Sequence, residues 1–216
     1  MMYGAPVDLS FKAISNLEDT QSEEPSKGLR PLKTNSVGKF QSVSLRLNNN
    51  NITNLYDLHK TMNHFLAEPS LLAWLDLSFN HSTNIDKVLC ELLQLRVLYL
   101  HGNCIFTLSE VDKLQSLPHL HTITLHGNVI ETNKAYRNHV ISTLHGLKTM
   151  DFSVVTPQER ALAQIWHHSK NPGIMSPNKS GMFFTRQNVW IEFKPMPLPA
   201  LSNMIFMGRF FCSNNP

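Results

Sequence analysis

An asparagine amide is an unwelcome guest among buried leucines, because each of its polar groups needs a partner once water is excluded. Four times in this chain of 216 residues, one follows a short apolar alternation at the same distance. Leu95, Leu98, Leu100, Asn103, Ile105 and Leu108 do so in LRVLYLHGNCIFTL, and Leu120, Ile123, Leu125, Asn128 and Ile130 in LHTITLHGNVI. Leu72, Leu75, Leu77 and Asn80 repeat it in LAWLDLSFN, and Leu45, Leu47, Asn50 and Ile52 in LRLNNNNI. The asparagines stand at 50, 80, 103 and 128, intervals of 30, 23 and 25 residues. Intervals of this size suit stacked coils, each one strand and one return segment, with a helical turn to spare in the first. The alternation puts two leucines on one face of each strand, and the asparagine turns the chain while its amide satisfies backbone groups in the bend. One coil cannot bury its own leucines, so successive coils must lean on one another. An α/β solenoid with parallel strands is the expectation.

The chain divides around this array. Residues 1–37 lack periodicity, and NLEDTQSEEPSKG is polar and turn-rich; the segment reads as extended or partly disordered. Alternatively Val7, Leu9, Phe11 and Ile14 cover the open end of the first coil, since an uncovered end coil exposes its core face. Residues 38–130 hold the four repeats. Within them Leu55, Leu58, Met62, Phe65 and Leu66 step by three and four residues, an amphipathic helix on the outer side. Ser82 takes a place where an apolar residue is expected. Residues 131–169 form a C-terminal cap: a helical stripe through Tyr136, Val140, Ile141 and Leu144, then a degenerate strand at Leu147, Met150 and Phe152. Thr156-Pro157-Gln158-Glu159 follows, the spacing of a capping box that starts a helix with Leu162, Ile165 and Trp166 on one side. Residues 170–216 hold six of the twelve prolines, six of the twelve phenylalanines and five of the nine methionines, and read as a poorly ordered tail.

Composition removes several function classes. The net charge of +3 comes from basic residues scattered among acids, no footprint for nucleic acid. Three cysteines without paired spacing suit a reducing compartment, and no apolar run is long enough to cross a membrane, so a cytoplasmic location is expected. Searches for G-x-S-x-G, G-x-x-x-x-G-K-[ST], G-x-G-x-x-G and H-E-x-x-H find nothing. No catalytic residue, metal, cofactor or small-molecule substrate is predicted.

Residues between the buried leucines face outward from the sheet. Coil by coil, the middle column is Arg46, Asp76, Tyr99, Thr124 and Asp151. Ser44, Trp74, Val97, Thr122 and Thr149 run along one side, and Asn48, Ser78, His101, His126 and Ser153 along the other. The candidate partner-binding residues are Arg46, Trp74, Asp76, Val97, Tyr99, His101, Thr124, His126 and Asp151. Trp74 and Tyr99 lead them, because exposed aromatics beside Arg and Asp are what protein interfaces favour. His101 and His126 recur at one position of adjacent coils, but no third ligand accompanies them.

LRLNNN, LDLSFN, LYLHGN and ITLHGN, followed by AYRNHVISTLHGLKTMDFSVVTPQER, resemble the short intracellular leucine-rich repeats of the phosphatase-regulator type. The stretch with Tyr136, Arg137, Leu147, Asp151 and Val155 resembles the cap that closes such arrays. The resemblance covers about three quarters of the chain and stops near Lys170. It implies a right-handed leucine-rich-repeat solenoid with a short parallel sheet on the concave face and helices and turns on the convex face. It implies a non-catalytic scaffold for a protein partner; charge and hydropathy, as above, predict no nucleic acid and no membrane insertion. A structural subunit of a cytoskeletal or axonemal assembly, or a regulatory subunit positioning a phosphatase, are the alternatives.

Overall fold

The computed structural model describes residues 4–170 and two further strands, Phe183–Phe184 and Trp190–Ile191. The chain falls into two compact units, residues 1–167 and 168–216. In the second, the two strands pair antiparallel, Phe183 opposite Ile191; the predicted tail otherwise lies outside the described residues. Among those residues no helix is long and apolar enough to cross a membrane.

The first unit is built on one sheet whose strands lie side by side in chain order. They are β1 (Val7–Asp8), β2 (Ser44–Arg46), β3 (Trp74–Asp76), β4 (Val97–Tyr99), β5 (Thr122–Thr124), β6 (Thr149–Met150) and β7 (Ser153–Val154). All neighbours through β6 are parallel, and only β7 runs back antiparallel on β6. A parallel sheet in chain order requires every return to pass behind it, so the fold is a solenoid. The register matches Leu45, Leu75, Leu98, Ile123 and Met150 across successive strands. Leu47, Leu77, Leu100 and Leu125 join them in one continuous core.

The returns follow their lengths. The longest interval accommodates the α-helix α1 (Leu58–Phe65), whose Leu58, Met62 and Phe65 are buried. The shorter ones use 3-10 helix, at Lys87–Glu91 and Leu108–Ser116. The three-residue step of Leu108, Val111, Leu114 and Leu117 is the 3-10 period itself. Val111 and Leu114 are buried accordingly.

The asparagines bind the coils into a ladder. Asn103 donates from its amide to Leu100 O in its own coil and to Leu77 O in the coil before, both at 3.0 Å. Its Oδ1 accepts the N–H of Ser82, also at 3.0 Å. Asn80 does the same toward Leu77 O, Leu47 O and Ile52 N–H, and Asn128 toward Leu125 O, Leu100 O and Ile105 N–H. Ser82 therefore serves the ladder through its backbone, which any residue supplies; its carbonyl also accepts from Cys104 N–H.

The ladder ends on the N-terminal segment. Asn50 donates to Leu9 O at 2.9 Å and accepts from Lys12 N–H and Ile14 N–H. Val7, Leu9, Ile14 and Leu17 are buried, whereas Phe11, expected to pack with them, is 74% exposed. Thr20, in the 3-10 turn Leu17–Ser22, meets Thr61 of α1 through a hydroxyl pair at 3.0 Å.

At the other end, α2 (Tyr136–Thr143) packs beside the Leu108–Ser116 turn. Thr156 and Glu159 cap α3 (Pro157–Lys170) reciprocally: Thr156 N–H donates to Glu159 Oε2 at 2.9 Å, and Glu159 N–H to Thr156 Oγ1 at 3.2 Å. The Arg137 guanidinium, then the N–H and hydroxyl of Thr156, pull the Glu159 carboxyl down to about 2. Of the predicted stripe on α3, Ile165 and Trp166 are partly buried and Trp166 meets His139 edge-on at 6.1 Å. Leu162 departs from it at 48% exposed, and Ala163, outside the stripe, is fully buried, in a helix whose Glu159 and Arg160 bond Arg137 and the Leu147 carbonyl.

Candidate functional site

The outward residues of the sheet line up as the alternation requires. Ser44, Trp74, Val97, Thr122 and Thr149 are register partners, and so are Arg46, Asp76, Tyr99 and Thr124. Of the nine predicted residues, Arg46, Trp74, Tyr99, His101, His126 and Asp151 stay partly exposed, while Asp76, Val97 and Thr124 are buried. Burial on an outward column means that neighbouring side chains close over it. Thr124 has Tyr99 as its register partner, and His101 Nδ1 lies 2.8 Å from its hydroxyl.

Asp151 and Ser153 depart from the predicted columns. Asp151 and Phe152 form the tight turn between β6 and β7, with φ of 49° and 60°. The chain reverses there, so Ser153 pairs back with Met150 instead of extending the His101–His126 column. Asp151 is a closing group. Its Oδ1 accepts from Leu125 N–H (2.7 Å) and His126 N–H (3.1 Å), backbone donors that the curtailed strand leaves unpaired. Its Oδ2 accepts from the Tyr136 hydroxyl at 2.8 Å. Burial, then the Asp151 charge, raise the Tyr136 pKa far above its ordinary value, so the phenol remains a donor.

A continuous set of rings covers the face. The Arg46 guanidinium lies 5.5 Å from the Trp74 ring centroid and bonds Asp8 at 3.1 Å. Trp74 meets Tyr99 edge-on at 5.6 Å, at an angle of 84°. His101 and His126 stack 4.7 Å apart and almost parallel, and Phe152 contacts both, at 5.7 and 5.6 Å. Phe79 closes on His101 at 5.0 Å. Offset and perpendicular rings at these spacings are mutually attractive. Burial, and secondarily His126, lower the His101 pKa, which keeps its ring neutral and the stack free of charge repulsion. With one Nδ1 turned to Thr124 and the other to Asp151 at 3.2 Å, the two imidazoles do not converge on a common point. No group of three or more potential ligands that could hold a metal ion exists among the described residues. A groove of about 260 Å³ between residues 114–120 and 143–146 lies apart from the face and shares none of its residues.

Phe79 was missed in the sequence, and Phe152, read there with Leu147 and Met150 in the last strand, is instead exposed on the face; both have positive φ, 52° and 60°. Phe11, Asn49, Phe79, Gly102 and Gly127 form a column immediately before the ladder position, and all five have positive φ, between 52° and 70°. Glycine or asparagine takes this conformation readily, whereas a bulky residue pays about 1–2 kcal/mol. The signal was the alignment of SFN (78–80) with HGN (101–103 and 126–128), which puts phenylalanine where glycine recurs. The Phe79 ring fills the space over Gly102, where an added Cβ would stand 2.6 Å from its Cδ1.

Comparison with known proteins accords with this geometry. The family profile described as leucine-rich repeat matches residues 39–177. Leucine-rich repeat-containing protein 51 of Rattus norvegicus is 48% identical over 161 residues, 74% of this chain and 84% of the relative. The Homo sapiens protein of the same name is 45% identical over 183 residues, 85% and 92% of the two chains. Among solved structures, a chain in the crystal structure of the Drosophila melanogaster SNF/U2A' complex superposes with a TM-score of 0.52 at 23% identity. That alignment covers 67% of this chain and 91% of the other, and shows a common fold.

Proposed function

Since the chain belongs to the leucine-rich-repeat family, we propose that it is a non-catalytic scaffold that holds a protein partner across the outward face of its parallel sheet. The observation that carries this reading is the ring set Trp74, Tyr99, His101, His126 and Phe152, left partly or largely open to solvent on a rigid sheet. Phe152 is 62% exposed although its backbone is strained to display it. An exposed, rigid aromatic surface loses little side-chain freedom on binding and gains much from dehydration. Trp74 and Tyr99 are the anchors of this interface, with Arg46 on the Trp74 ring at its edge.

Affinity purification from native tissue tests the reading. The intact chain retains its partner, and the Trp74→Ala, Tyr99→Ala double variant loses it, each anchor contributing about 2 kcal/mol or more. Full retention by a folded double variant removes the face from consideration. A hydrolase screen finding activity that substitution of Cys104 or His101 abolishes would refute the non-catalytic reading.

A further inference from the structure

One column at the edge of the sheet carries like charges side by side. The residue before each strand is fixed in register by its carbonyl, which accepts two N–H groups from the next coil. Val43 O takes those of Ala73 and Trp74, Ala73 O those of Arg96 and Val97, Arg96 O those of His121 and Thr122, and His121 O those of Lys148 and Thr149, all at 2.7–3.1 Å. The column therefore reads Val43, Ala73, Arg96, His121, Lys148: apolar beside β2 and β3, basic beside β4, β5 and β6. Strands step by about 4.8 Å, so the three basic residues arise within about 10 Å of one another.

Arg96 and His121 are partly exposed and Lys148 is exposed. Burial first, and then the charges of Lys148 and Arg96, lower the pKa of His121, so cations flank its ring on both sides. Its Nδ1 lies 3.0 Å from the Thr122 hydroxyl. Lys148 makes no ion pair among the described residues. The acids of the middle column are engaged elsewhere: Asp76 accepts from the N–H and hydroxyl of Ser78, and Asp151 from Leu125, His126 and Tyr136. Like charges held together in this way repel, and an anion laid along the column relieves them.

The spacing selects the form of that anion. Along an extended chain, side chains on one side recur about every 6.6 Å, out of step with coils about 4.8 Å apart. Along an α-helix, residues three apart rise by about 4.5 Å and share a face, one for each coil. A helix is about 10 Å across, and the three residues of strand from Arg96 to Tyr99 span the same distance, about 10 Å. A helix lying across the strands thus sets one face on the basic column and its adjoining face on the aromatic rings.

From this geometry we infer that the partner presents an amphipathic helix whose acidic stripe, carboxylates three and four residues apart, lies along Arg96, His121 and Lys148 while its apolar side covers Trp74 and Tyr99. The inference rests on the outward face being the interface, and it names the charge and the secondary structure of the occupant.

The probe is a capped, alanine-based helical peptide with glutamates three and four residues apart on one face and leucines on the adjoining one. Matched versions replace every glutamate with glutamine, or keep the composition and scatter the glutamates around the helix. Each is titrated into the full chain and followed by amide and imidazole chemical shifts. The striped peptide shifts the Arg96, His121 and Lys148 amides together with the Trp74 indole, and its affinity falls as salt is added. It also raises the pKa of His121, because a carboxylate beside the ring favours the charged form, so it binds more tightly as pH falls through the bound value. The glutamine and scattered peptides bind about tenfold more weakly or not at all. Lys148→Glu, at an exposed position, leaves the melting temperature unchanged and weakens the striped peptide by about tenfold. Equal binding of the glutamine or scattered peptide, an unmoved His121 titration, or indifference to Lys148→Glu each overturns the inference, as does a single-stranded RNA that displaces the peptide at lower concentration. Loss of the tissue partner in the Trp74→Ala, Tyr99→Ala variant but not in Lys148→Glu refutes only the acidic helix; retention in both refutes the face itself.

Discussion

Asn103 offers the sharpest test of how the coils are held. Replacing it with alanine leaves the N–H of Ser82 without an acceptor and takes one of two amide donors from each of the carbonyls of Leu77 and Leu100, which keep Asn80 and Asn128. All three bonds are buried, and Asn103 is 5% exposed. With one stranded donor at about 1–3 kcal/mol and two lost carbonyl bonds at about 0.5–1 kcal/mol each, the loss is about 2–5 kcal/mol, a large share of the about 5–15 kcal/mol that holds a domain together. In a unit of this size, that lowers the melting temperature by about 5 °C or more. Urea unfolding followed by far-ultraviolet circular dichroism measures it, with the midpoint moving and the slope constant. Asn103→Asp is the control: it is isosteric and still accepts from Ser82, but it turns a carboxylate onto two carbonyls. It should destabilise at least as much as alanine. A loss below about 1 kcal/mol for alanine, or an aspartate variant near the parent, would refute the ladder as a main tie between coils.

Other perturbations read other features. Gly102→Ala puts a methyl group 2.6 Å from the Phe79 ring at a φ of +67°; a loss of about 1–3 kcal/mol is expected by thermal melting. Phe11→Asn places at that left-handed position the residue that Asn49 has in the next coil, and because Phe11 is mostly exposed, the variant gains about 0.5–1 kcal/mol in urea. His101 has a folded pKa below its ordinary 6.5. It therefore binds fewer protons folded than unfolded, and its contribution is whole above about 6.5 and lost as pH falls through the folded value. Imidazole shifts across pH 4–8 should show His101 titrating below an unstructured histidine; titration at or above the ordinary value refutes the argument.

The sequence carried the sheet because strand pairing follows leucine spacing, and a one-residue slip would expose every leucine at once. Trp74 and Tyr99 fell onto one face of adjacent strands for that reason, opposite Val97 and Asp76 respectively. The N-terminal coil was harder to read because Lys12 stands where a ladder asparagine would stand. β1 is the edge strand of the described sheet, and a search keyed on asparagine passes over VDLSF. The Asp151–Phe152 turn was illegible because positive φ at both residues usually announces itself as Asn-Gly. TMDFS instead reads as uninterrupted strand. On α3, Ile165 and Trp166 lie on the packed side as read, whereas Ala163 was passed over because its small side chain does not stand out in an apolar stripe.

That Asn50 closes the ladder on Leu9, Lys12 and Ile14 gives the chain a removable end piece. Residues 27–31 are exposed throughout, so a single protease cut there frees the first segment from its covalent tether while its bonds to β2 and α1 persist. The severed peptide and the remaining protein then become a bimolecular pair: dilution separates them, and added synthetic peptide restores the pair by mass action. The end of the array would thus behave as a dissociable subunit encoded within one polypeptide.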